Sequence, residues 1–168
     1  RSLASSDPSK VSTFQIEVKP YKSLVAPHTL LACRDQLNRK ILYAEGAVHE
    51  YVSEANHYAT EGVDVFAETQ CELTQRMRSE RAKVFQCIQQ VGDFATELLR
   101  RPINLVRARY TDVQAYDRDR DLHIQYLKLL SSRSKEFMRA SRLQLDHLRG
   151  ECTALIEQRM RRLNSHHD

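Results

Sequence analysis

The residues best spaced to share a ligand on one helix face are two acid–histidine pairs. Glu54 and His57 form a Glu-x-x-His unit, and Glu45 and His49 stand four apart. Side chains three or four apart on a helix are neighbours, and Glu-x-x-His is the unit that di-metal carboxylate bundles use in duplicate. The chain has no second copy, so both pairs read as solvated, ion-paired helix surface. The four cysteines, Cys33, Cys71, Cys87 and Cys152, are scattered without a Cys-x-x-Cys pair. That spacing suits neither structural zinc nor a dense disulfide framework. It predicts reduced thiols that act as small apolar side chains. Gly-x-Ser-x-Gly and phosphate-cradling Gly-rich loops are absent, and Gly46, Gly62, Gly92 and Gly150 each stand alone. A glycine inside a helical pattern either permits a close helix contact or is tolerated at a cost of about 1 kcal/mol. No catalytic, cofactor-binding or metal-ligating residues are assigned. The expectation is a chain that is not an enzyme, with no cofactor and no small-molecule substrate.

The remaining chemistry is charge. The 26 Lys and Arg outweigh 22 Asp and Glu by +4. Residues 28–102 are slightly acidic and 103–165 basic, which favours pairing of the two parts. Arg139, Arg142 and Arg149, then Arg159, Arg161 and Arg162, are the candidates for anion binding. Asp146 and Glu151 lie among them, and such interruptions read as a salt-bridged solvated helix rather than a continuous basic stripe. Ser131-Ser132-Arg133-Ser134-Lys135 is a weak phosphorylation signal.

The elements that carry these residues are helices. Gly and Pro together number 8 in 168 residues, where an average chain has about 20. So few breakers exclude a sandwich or barrel and a nucleotide-binding α/β fold. Leu30, Leu37, Ile41, Ala44, Val48, Tyr51, Ala55 and Tyr58 step mostly by three and four, a heptad seam. The register slips near Gly62 and resumes at Phe66, Leu73, Met77, Val84, Ile88, Val91, Ala95 and Leu98. Pro102 predicts a kink or a tight hairpin. Strict three-four stepping then continues from Ile103 to Arg159 with polar residues at Asp117, Arg120, Ser131, Ser134 and Ser141. Leu129, Leu130 and Phe137 lie beside that polar stretch and widen the apolar stripe, as a third packed helix would require. Residues 103–165 as one helix would span about 95 Å, and 28–101 about 110 Å.

Residues 1–27 differ. They hold Pro8, Pro20 and Pro27, and 11–18 alternate weakly as a short extended strand. The reading is therefore all-α: an extended tail or docking segment at 1–27, then an elongated coiled coil or helical hairpin over 28–165. A bend is expected near 62 and a kink or hairpin near 102. Such a chain is expected to be a structural or scaffolding subunit of a larger intracellular assembly, cytoplasmic, cytoskeletal or axonemal. The start at Arg1 points to a fragment or processed form, and an organelle after transit-peptide removal stays open. Its partners are expected to be other helical chains, self or different. The contacts are assigned to Tyr110, Val113, Ile124, Leu127, Met138, Leu145, Leu148, Leu155 and Ile156. The alternative is a helical module that binds anionic membrane or RNA through the arginines above.

Overall fold

The computed structural model describes residues 14–20, 27–61 and 67–165. It contains three helices: α1 (Pro27–Glu61), α2 (Ala67–Arg100) and α3 (Val113–Ser165). No strand occurs among the described residues. Each helix packs on both others. Cross-helix contacts fix the directions. Arg81 reaches Asp146 and Arg142 reaches Gln89, so α2 and α3 run antiparallel. Cys152 lies against the Ala55 carbonyl oxygen at 3.8 Å, while far up the same helices Tyr126 and Leu127 share a cluster with Leu30 and Cys33. Helices α1 and α3 are therefore parallel, and the bundle runs up, down, up.

The core follows the heptads. Leu37, Ile41 and Ala44 of α1 meet Val91, Ala95 and Leu98 of α2 and Leu130 and Phe137 of α3. Further along, Val48, Val84, Ile88 and Leu145 close a second cluster. A three-helix bundle needs a wider stripe on each helix than a two-stranded seam does, and α3 shows this. Leu130 and Phe137 are fully buried beside Ser131, Ser134 and Ser141, whereas Leu129 is exposed. The buried Ser134 hydroxyl donates to the Leu130 carbonyl oxygen at 2.8 Å, so its polarity is satisfied within the helix.

Two expectations are corrected. The 28–101 span is not one rod: α1 and α2 have 35 and 34 residues, about 50 Å each, and lie side by side, whereas most of 103–165 is the single 53-residue α3, about 80 Å long. The bend expected at Gly62 falls outside the described residues. At Pro102 there is neither a continuous kinked helix nor a tight hairpin. Helix α2 ends at Arg100 and the chain turns through 101–112, with one 3-10 turn at Arg107–Arg109. Ile103, Val106 and Tyr110 thus matched the helical spacing without being in a helix. Helix α3 starts at Val113 because Asp112 caps it: its Oδ1 accepts the Ala115 amide at 2.7 Å, satisfying one of the donors a helix start leaves open.

The described part of the expected strand, 14–18, joins no sheet. Its backbone pairs with a side chain instead. The Ile16 amide donates to Asn38 Oδ1 at 2.8 Å, and Asn38 Nδ2 donates to the Ile16 carbonyl oxygen at 3.0 Å. A buried carboxamide thereby does what a neighbouring strand would do. Phe14 meets Phe137 edge to face at 5.5 Å, and the Tyr126 hydroxyl donates to the Val18 carbonyl oxygen at 2.6 Å. The segment lies across α1 and α3 and seals Ile16 into the core.

Candidate functional site

The described residues of the bundle line a recess along the outer side of α1 and α2 and one at each end. The outer groove has a volume of about 530 Å³ and takes Arg39, Lys40 and Tyr43 from α1 and Gln90, Phe94 and Arg101 from the other wall. The α1 residues fall there because they occupy the face opposite the Leu37–Ile41–Ala44 seam, at helical spacing. Phe94 is half-buried in the floor. The Lys40 ammonium stands 5.2 Å and the Arg101 guanidinium 5.5 Å from its ring centre, within reach of cation–π attraction. Tyr43 is 70% exposed. Among the described residues no carboxylate lines the groove, although Glu97 pairs with Arg101 at 2.7 Å from beside it. The groove is thus aromatic at its floor and cationic at its walls.

At the end where α1 begins, Cys33, His123, Arg101 and Ile103 line a cleft of about 290 Å³. The Tyr110 hydroxyl donates to Asp119 Oδ2 at 2.5 Å, and His123 Nδ1 lies 3.0 Å from the Asp119 carbonyl oxygen. All three are buried. Cysteine and histidine therefore meet in one cleft, as nucleophilic chemistry would need. The thiol is not activated, however. Burial pushes the Cys33 thiol up, and Arg101 beside it opposes this only in part. A thiol held protonated is a poor nucleophile. Burial likewise raises the Cys87 and Cys152 thiols. Cys33, Cys87 and Cys152 are free.

The contact residues assigned from the heptad are divided by the fold. Tyr110, Leu127, Leu145 and Leu148 are buried, and Ile124 and Met138 are half-buried. Leu145 is covered by Val48, Val84 and Ile88 of the same chain, so its contact is met without a partner. Val113 and Leu155 are exposed, at 53% and 40%. The Ile156 side chain lies outside the described residues. Of the five arginines whose side chains are described, Arg149 alone lines one of these recesses. Arg142 donates to Gln89, Arg161 pairs with Glu157, Arg149 faces the recess at the far end, Arg139 is exposed, and Arg162 makes an interaction of its own. The Arg159 side chain lies outside the described residues. His49, Glu54 and His57 are exposed, and Glu45 is half-buried. Among the described residues no group of three or more His, Cys, Asp or Glu is placed to hold a metal ion.

The groove residues Arg39, Lys40, Tyr43 and Phe94 were missed from sequence. The signal available was Arg39-Lys40-x-x-Tyr43 on the back of a heptad seam. Phe94 lies more than fifty positions away and is joined to it only by the antiparallel packing. Comparison with protein-family models, curated proteins and solved structures finds no match to this chain.

Proposed function

We propose that this chain is a non-catalytic scaffold subunit, whose helical bundle receives a helix from another chain in a larger intracellular assembly. The observation that carries the reading is the groove between α1 and α2, with exposed Tyr43 at its edge and Phe94 in its floor. Two antiparallel helices side by side present the surface on which a further helix packs ridges into grooves, in the coiled-coil manner. Arg39, Lys40 and Arg101 select acidic side chains on the incoming helix by charge complementarity. Aromatic and arginine anchors around a desolvated centre are what protein interfaces concentrate.

The test is photocrosslinking in the source cells, with a benzophenone amino acid placed at Tyr43. The expected product is a crosslink to a helical segment of one recurrent protein, with acidic residues beside the linked position. The same probe with Arg39→Glu and Lys40→Glu should lose that product. Crosslinks that land on RNA or lipid, or products unaffected by the charge reversal, would refute the scaffold reading.

A further inference from the structure

At the other end of the bundle the described residues of all three helices line a further recess. Three small residues, Ala55 of α1, Ala82 of α2 and Cys152 of α3, are among those lining it. It is a cavity of about 430 Å³. Its inner wall includes Tyr51, Met77 and Leu148, and its rim carries Arg78, Arg81 and Arg149, with no carboxylate among the described lining residues.

Arg78 and Arg81 of α2 and Arg149 of α3 line the same recess. The Tyr51 hydroxyl is pushed up by burial, while the nearby charges of Arg81 and Arg149, one from α2 and one from α3, pull it back. Two guanidiniums from different helices therefore bear on one phenol. Arg81 is partly spent: an Nη2 donates to Asp146 at 3.0 Å, and its guanidinium lies over Phe85 at 4.5 Å. Its Nε is buried and makes no hydrogen bond. A buried donor left unsatisfied costs about 1–3 kcal/mol and is rare enough in folded proteins to need a cause. Of the described carboxylates, Asp146 is already on Arg81 and Glu151 pairs with His147 at 2.8 Å.

We propose that this cavity binds a small amphipathic anion: an apolar chain lying among Tyr51, Met77, Leu148 and Cys152, and a phosphate or carboxylate head held by Arg78, Arg81 and Arg149. Binding sites for small molecules have this composition, mostly apolar with a few convergent polar groups, and volumes of about 300–1,000 Å³. Arginine is suited to the head because its planar fork matches phosphate and carboxylate oxygens. This site is separate from the outer groove, so it stands whether or not that groove takes a helix.

Isothermal titration with dodecyl phosphate below its micellar concentration tests the proposal. Saturable one-to-one binding is expected, with inorganic phosphate alone weaker by about a hundredfold or more, as loss of the buried chain implies. Arg149→Gln should weaken binding at least about tenfold, the effect of one lost charge-assisted hydrogen bond. Arg139→Gln, an exposed arginine on the same helix outside the cavity, should bind like the parent. Cys152→Phe should fill the cavity and abolish binding, with circular dichroism confirming the fold. If that variant does not fold, the two arginine variants decide. Vesicles containing phosphatidic acid distinguish a free amphiphile from a bilayer surface. Binding to vesicles without binding to monomeric dodecyl phosphate overturns the cavity. So do equal losses in the Arg139 and Arg149 variants, or equal affinity for dodecyltrimethylammonium.

Discussion

Asn38 shows how much one side chain can organise. It is buried on α1, and both faces of its carboxamide are used on the backbone of Ile16. Asn38→Ala removes an acceptor and a donor and leaves two buried backbone groups open, at a cost of about 1–3 kcal/mol for each. The amide proton of Ile16 should then exchange much faster than in the parent, by hydrogen exchange, while amides of Ile88 and Val91 keep their relative protection. Asn38→Asp keeps the acceptor but cannot donate when ionised, so it should also release the segment. The glycines separate in a way the sequence left open. A Cβ on Gly46 or Gly150 meets nothing within 4 Å, so Gly46→Ala and Gly150→Ala should each stabilise the protein by about 0.5–1 kcal/mol through lower backbone entropy in the unfolded chain. Gly92 is different, because a Cβ there would come within 2.4 Å of the Met138 sulfur. Gly92→Leu should destabilise by about 1–3 kcal/mol through overpacking. Thermal melts of the three variants, two up and one down, check this contrast.

At the scale of elements, the seams of α1 and α2 could be read directly, because Leu30, Leu37, Ile41, Ala44 and Val48, then Val84, Ile88, Val91, Ala95 and Leu98, all enter the core at their heptad positions. The start of α3 could not be read this way. Ile103, Val106 and Tyr110 continue the three-four spacing across a segment that is not α-helical, and hydrophobic period alone does not distinguish such a run from a helix. The local signal was Asp112, which caps Val113 onward. Asp112→Ala should cost about 1 kcal/mol, and Asp112→Ser should restore most of it. Urea denaturation of the pair measures the difference, and equal losses would mean that the cap does not set the helix start. The outer groove was hidden for a related reason. Lys40 and Phe94 meet only after α1 and α2 reverse against each other, and sequence spacing within one helix carries no information on that pairing.

For the whole molecule, the decisive chemistry is what the bundle keeps neutral. Burial raises the thiols of Cys33, Cys87 and Cys152 above their ordinary value of 9.0. It also raises the phenols of Tyr51 and Tyr126 above 10.0. Arg101 opposes the shift at Cys33, Arg81 and Arg149 oppose it at Tyr51, and Arg34 opposes it at Tyr126, yet in each case burial prevails. Between the ordinary and the raised value, the unfolded chain has lost a proton that the folded chain still holds. The unfolded state then binds fewer protons, so stability falls as pH rises. The contribution is complete below pH 9.0, begins to be lost there through the thiols, and continues to be lost above 10.0 through the phenols. The positive side chains are 19 Arg and 7 Lys, and arginine keeps its charge throughout this range, so loss of cationic charge is a minor part of the change. Thermal melts from pH 8 to 10.5 under reducing conditions should therefore show a melting temperature that is level at first and then declines from about pH 9. Replacing the three thiols together, Cys33→Ala, Cys87→Ala and Cys152→Ala, should move the onset of the decline up toward the phenol range. A melting temperature that rises above pH 9, or an onset unmoved by removing the thiols, would mean that these side chains are not held neutral by the packing of the three helices.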